Sequence, residues 1–280
     1  TNTQKNSNDY QHLQHKMRPS HSDLGAYLRY GHYDYRGGGH FSARLTAALV
    51  ILGAICEQVL QKYNVKVLSH IHKILDLKDD SLNPLFYEAN YQSLLTSSFA
   101  VINPEVKQEM LEKIKEIKAA NDSIGGQIES VIYNVPKGIG SPYFNSLESI
   151  ISHLLFSIGG LKGISFGSGF EGTSLLGSQA NDAYTYQENQ IITKTNHNGG
   201  IVGGISIGMP ICIQTAWKAP SSIPIEQDTI DLSTKQNTKL IVKGRHDACY
   251  LGRAIVVINS LLYYAIAEAM SEKEGTSWMK

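Results

Sequence analysis

The sequence predicts an α+β fold, a layered β-α-β sandwich in which mixed and antiparallel sheets surround long buried helices. Three observations carry this prediction. Two long runs, 42–63 and 253–271, are apolar on most faces, as in helices enclosed by other elements. Leu147, Ile150, Ile151, Leu154, Leu155 and Ile158 recur at helical spacing, which makes an amphipathic helix lying on a sheet. Short strand-like segments at 65–72, 126–135 and 162–217, the last broken by glycine turns, supply the sheets.

Composition bounds the rest. With 280 residues, 42% of them hydrophobic, the chain can bury a sizeable core, and a single domain over 1–280 is expected. Lys and Arg number 25 and Asp and Glu 25, so no global field draws the chain to nucleic acid or to anionic membranes. Cys56, Cys212 and Cys249 form no CxxC pair and are odd in number, which fits a reducing cytoplasm. No secretory signal is expected ahead of the first motif. The longest apolar run, Ala47 to Cys56, is too short to cross a bilayer and reads as a buried helix.

Taken in order, residues 1–17 are polar and aperiodic and read as a loop or frayed end. A helix is expected over 42–63 and a strand over 65–72. On that strand His70 and His72 share a face and could hold a metal. No third ligand is in view, so the pair reads as a solvated strand face and no metal site is expected. Residues 73–103 are polar and irregular. Asn103-Pro104 is an N-cap followed by proline at the first helical position, opening a helix over 104–120. A strand over 126–135, a Gly/Pro loop and the amphipathic helix follow, with His153 off the apolar stripe and exposed. Leu240 to Lys243 reads as a strand leading into Gly244-Arg245-His246-Asp247 and the last helix.

The chemistry is concentrated. Of six arginines, Arg18, Arg29, Arg36 and Arg44 lie within 18–46, and Arg245 and Arg253 lie in a second cluster. Arginine grips phosphates and carboxylates with a planar, permanently charged fork, so this clustering points to an anionic ligand held from two sides. Gly37, Gly38 and Gly39 precede His40, Phe41, Ser42 and a helix-like run. That pattern lets backbone N–H groups approach an anion, although a flexible connector has the same composition. His21, between Pro19 and Asp23 in a turn-like stretch, can act as acid or base. The glycines from Asn198 to Ser206 have the wrong spacing for a dinucleotide fingerprint but suit close backbone packing against a flat ring.

Read together, Arg18-Pro19-Ser20-His21-Ser22-Asp23 and Asp34-Tyr35-Arg36-Gly37-Gly38-Gly39-His40-Phe41-Ser42-Ala43-Arg44 resemble the chorismate synthase signature. The resemblance continues through Asp122 to Gly126, Pro136 to Phe144, Lys162 to Phe170, Asn196 to Gly208 and Gly244 to Asp247. It implies the chorismate synthase type of β-α-β sandwich and the anti 1,4-elimination of phosphate from 5-enolpyruvylshikimate 3-phosphate. Reduced FMN is implied as cofactor, with NADPH as its external or intrinsic reductant, and the assembly is expected to be a homotetramer. His21 and Asp247 match the family's catalytic residues, and Arg18, Arg36 and Arg44 are the candidate anion clamp. FMN contacts fall on His40, Phe41, Ser42, Gly159, Gly160, Gly203, Lys218, Ala219, Pro220, Ser221, Ser222 and Arg245. Two departures are expected to alter flavin binding: Lys-Ala-Pro-Ser-Ser replaces the usual Lys-Pro-Thr-Ser-Ser, and Gly159 replaces a polar residue. The family's opening Gly-Glu-Ser-His-Gly segment has no counterpart, so about a quarter of a family chain is expected to be missing. The alternative reading is a non-catalytic remnant that binds FMN or phosphate, or that serves as an oligomer partner.

Overall fold

The computed structural model describes residues 13–35, 39–244, 246–275 and 277–279. Its helices are α1 (Asp23–Tyr30), α2 (Thr46–Leu60), α3 (Gln92–Thr96), α4 (Pro104–Ala119), α5 (Leu147–Leu155), α6 (Gly177–Ala180) and α7 (Leu251–Glu274). Its strands are β1 (Lys66–Ile74), β2 (Leu77–Lys78), β3 (Gly126–Tyr133), β4 (Leu161–Phe166), β5 (Tyr184–Gln187), β6 (Gln190–Thr193), β7 (Ile201–Val202), β8 (Ile205–Ser206), β9 (Ile211–Trp217), β10 (Gln227–Asp231) and β11 (Gln236–Leu240). The expected α+β class is the one the chain adopts. Two compact units are present, one of residues 46–110, 126–218 and 251–280, the other of 1–45, 111–125 and 219–250.

The larger unit is built on a five-stranded sheet in the order β2-β1-β3-β9-β4, every pair antiparallel. β9 alternates cleanly between buried and half-buried residues, as a strand with one covered face should. α7 packs on β1, β3, α2 and α5, and most of its residues from Leu251 to Met270 are buried. α5 buries Leu147, Ile151 and Leu155, the stripe expected from its spacing, while His153 is exposed.

α2 meets α7 at a very close crossing. A Cβ on Gly53 would stand 2.3 Å from Ser260 Cβ and 2.4 Å from its Cα. Gly53→Ala therefore sets a helix-propensity gain of about 1 kcal/mol against overpacking of about 1–3 kcal/mol. The expected net result is a lower melting temperature, measurable by thermal denaturation.

Several expectations need correction. α2 is not enclosed: Ile51 is 65% and Ile55 56% exposed, because α7 covers only one side of it. The helical stretch Ala43–Tyr63 has 21 residues and mean hydropathy 1.6, so by length and composition it could span a bilayer, unlike the shorter run seen in the sequence. Two 3₁₀ turns, Gly39–Phe41 and Ala43–Leu45, precede α2, which therefore starts at Thr46 rather than Ser42. His70 and His72 are buried, not solvated. The irregular stretch 73–103 contains β2 and α3. Asn103 caps α4 as expected, its Oδ1 accepting from Glu105 N at 2.9 Å.

In the smaller unit β10 and β11 form a hairpin, so the strand ends at Leu240 and 241–243 do not extend it. The segment from Leu13 is anchored rather than frayed. Lys16 bridges to Asp231, Leu232 N donates to His15 O at 2.9 Å, and Leu13 packs with Leu240, Val242 and Tyr35. α1, unanticipated, ends at Gly31, whose left-handed φ of 73° lets its N–H reach Tyr27 O.

Candidate active site

The turn before α1 forms a tightly built polar cluster of the smaller unit. Arg18 and Asp23 are 6% and 2% exposed. Arg18 Nε and Nη2 donate to the two Asp23 oxygens at 2.7 and 2.8 Å, a bidentate fork. His21 Nδ1 lies 2.8 Å from Asp23 Oδ1, and Ser22 Oγ is 3.3 Å from the same nitrogen. Burial alone would raise the Asp23 carboxyl, but hydrogen bonds from Arg18 and His21 outweigh it and hold the group well below the usual carboxylate range. An ionised carboxylate only accepts, so Nδ1 carries the hydrogen and Nε2 is the nitrogen left to exchange a proton. Two nitrogens of Arg18 are thereby engaged within the chain.

Three further segments are tied to this turn and to one another. Ser221 Oγ donates to Ser20 O at 2.9 Å, and Ser123 Oγ to Pro220 O at 2.7 Å. Ile124 N donates to Ala248 O at 2.7 Å, beside Asp247. The Arg18–Asp23 turn, residues 122–125, residues 219–222 and the loop carrying Asp247 thus form one connected frame. Asp247 itself is exposed and Ser222 half-buried; His246 Nε2 donates to Val242 O at 3.0 Å, fixing that loop. On the 3₁₀ turns, His40 stacks edge-on to Tyr30 at 5.4 Å and lies 4.2 Å from the Phe41 ring. Arg44 Nε donates to Ser42 Oγ at 3.0 Å, leaving an exposed guanidinium. Arg36 and Arg245, with Gly37 and Gly38, lie outside the described residues.

In the larger unit Lys218 N donates to Gly160 O at 3.0 Å, where β4 and β9 begin and end. An open depression of about 400 Å³ lies there, lined by Lys73, Lys162, Lys218, Leu75, Gln127 and Trp217 among others. Burial lowers the Lys218 pKa, and the Lys162 ammonium lowers it further. Gly203 is exposed in the β7–β8 turn, with open space where a Cβ would stand. Gly199 differs: its Cβ would meet Gly167 N at 2.4 Å, so this glycine serves backbone-on-backbone packing and not a ring.

Gly159 likewise has open space where a Cβ would stand, and no positive φ, so nothing in the fold demands glycine there. Gly159→Asn is expected to change stability by no more than about 0.5 kcal/mol, as read by equilibrium denaturation.

Sequence reasoning gave Asp23 no role of its own, noted Lys162 only as the start of a matching motif, and passed over Lys73. Asp23 had a usable signal, since it stands two residues after His21 and five after Arg18. Lys73 had none, because the sheet brings it beside Lys162 and Lys218 from a distant segment.

A family model described as chorismate synthase matches residues 1–271. The chain belongs to the chorismate synthase family. Chorismate synthase from Thermococcus kodakarensis is 35% identical over 279 residues, covering 98% of this chain and 75% of that one. That from Methanococcus vannielii is 38% identical over 278 residues, covering 96% and 74%. A crystal structure of chorismate synthase superposes with a TM-score of 0.74 at 26% identity, covering 91% of this chain and 71% of the other. The frame described above joins motifs that stand far apart in a chorismate synthase sequence, from the Arg-Pro-Ser-His turn to the Gly-Arg-His-Asp loop.

Proposed function

We infer that this chain carries out its family's reaction, the anti 1,4-elimination of phosphate from 5-enolpyruvylshikimate 3-phosphate to give chorismate, with reduced FMN as cofactor. The family match through residue 271 favours this over a non-catalytic remnant. The observation that carries the residue roles is the buried Arg18–Asp23–His21 cluster, which fixes one tautomer of a half-exposed histidine. His21 Nε2 gives and takes the proton in the site. Asp247, an exposed carboxylate on the loop tied to residue 124, is the base. Arg44 and Arg36 grip the substrate's phosphate and carboxylates, while Arg18 acts mainly by holding Asp23 and His21 in place.

The residues present fit FMN. Lys162 and Lys218 repel one another across the depression, a strain that an anionic phosphate relieves. Lys218, with Gly159 and Gly160 beside it, takes the phosphate end. Of the other contacts that the resemblance implies, Gly203 belongs to the larger unit, His40, Phe41, Ser42, Ala219, Pro220, Ser221 and Ser222 belong to the smaller one, and Arg245 lies outside the described residues. When bound, reduced flavin supplies the electron-rich ring that lets the carbon–oxygen bond to phosphate break without net redox change. Lys218→Gln is expected to weaken FMN binding about 10- to 100-fold, as for the loss of one charged hydrogen bond, measured by quenching of flavin fluorescence. Unchanged affinity would remove Lys218 from the site.

NADPH is proposed as the reductant of the flavin and the cytoplasm as the place of action, in keeping with three free thiols. A homotetramer is proposed as the assembly. Its support is the outer face of α2, where Ile51 and Ile55 stand exposed and which a second copy would cover. Ile51→Glu with Ile55→Glu is expected to reduce the mass measured by light scattering; an unchanged tetramer would place the interface elsewhere.

A further inference from the structure

A buried cluster of groups to which no role was assigned above lies on β1 and β3. His70 is fully buried and His72, Asp79 and Glu129 are 2%, 4% and 8% exposed. His70 Nε2 is 2.9 Å from Glu129 Oε2, its neighbour across the ladder, and His70 Nδ1 is 2.9 Å from Asp79 Oδ2. The register slips between Ile71 and Lys73, so His72 is the extra residue of a β-bulge. A bulge re-aims a side chain, and the two imidazole rings meet edge to face at 5.5 Å. Donor atoms of His70, His72 and Glu129 lie within 4.8 Å of one another. His72 Nδ1 is buried and has no hydrogen-bond partner.

We propose that His70, His72 and Glu129 form a binding site for a divalent cation of the zinc class, oriented by Asp79 from behind. Two imidazoles and one carboxylate are a donor set suited to zinc, with water in a fourth position. Asp79 accepting from His70 Nδ1 leaves Nε2 to face the metal, the carboxylate–histidine–metal arrangement. Both carboxylates are already held: Ile102 N and Asn103 N donate to Asp79 at 2.6 and 2.9 Å, and Leu82 N donates to Glu129 at 2.7 Å. Charge argues the same way. The cluster gathers two buried carboxylates, Asp79 and Glu129, around the His70 ring. A dication balances both carboxylates, and uncompensated buried charge is costly. On binding, the proton between Nε2 and Glu129 leaves for solvent and the Nε2 lone pair becomes the metal bond. Tetrahedral donors about 2 Å from a metal stand about 3.3 Å apart, so His70 Nε2 and Glu129 Oε2 need to part only slightly from 2.9 Å, and all three donors already lie within 4.8 Å of one another. The site crosslinks β1 to β3 and pins the segment 79–82, so its role is structural.

The test uses the 280-residue chain stripped with chelator and titrated calorimetrically with zinc chloride. We expect one zinc per chain, sub-micromolar affinity, about one proton released as read from buffers of different ionisation heat, and a raised melting temperature. Asp79→Asn should weaken binding about 10- to 100-fold. His72→Leu should weaken it at least as much without disrupting the fold, since His72 Nδ1 has no hydrogen bond to lose. No zinc uptake, or equal affinity in His72→Leu, would overturn the proposal. If His72→Leu fails to fold, cobalt(II) added to the unaltered chain decides: intense tetrahedral bands support the site, and a weak octahedral spectrum rejects it.

Discussion

Replacing His21 with alanine is expected to lower turnover by about two to four orders of magnitude, the contribution of a positioned acid–base group, while the fold is retained. His21 is 24% exposed, and Asp23 keeps both hydrogen bonds from Arg18 when the ring is gone. The stability cost is therefore that of one hydrogen bond, about 1 kcal/mol. Anaerobic kinetics beside a thermal melt separate the two effects. A large loss of stability with normal turnover per folded chain would assign His21 to the scaffold instead.

Asp23→Asn is expected to damage both stability and catalysis. It leaves the Arg18 guanidinium buried without its counter-charge, a change that costs about 3–5 kcal/mol, and it frees the tautomer of His21. The same pair gives a pH signature. The folded carboxyl titrates below its ordinary value of 3.8, so its stabilisation is complete above that value and is lost as pH falls toward the lower folded value. Urea denaturation from about pH 5 down to about pH 2 should show this acid limb in the native chain and a smaller one in Asp23→Asn. Matching limbs would contradict the buried pairing.

What the sequence revealed and what it hid differ by the range of the interactions. The α5 stripe and the Asn103 cap are local patterns, and both are realised. α1 was hidden because its apolar residues do not form a buried stripe: Leu24 is 45% and Leu28 74% exposed. The anchoring of Leu13 to Met17 comes from pairing with residues far along the chain, including Thr229 Oγ1 to Met17 O. His70 and His72 looked solvated because their carboxylate Glu129 stands on another strand. α2 looked enclosed because apolarity on all sides does not say which side has a partner within the chain. Motif order singled out the candidate residues, whereas the pairing of Asp23 with both Arg18 and His21 and the lysine-lined depression required the folded chain.

If the frame around His21 and Asp247 is the reaction centre, this chain converts 5-enolpyruvylshikimate 3-phosphate to chorismate. Anaerobic incubation of the chain with that substrate and reduced FMN, following phosphate and chorismate together, tests this most directly. The predicted result is equimolar release of the two products, lost in Asp247→Asn. Flavin-bound, folded chain that releases no phosphate, or an Asp247→Asn variant with full turnover, would contradict it.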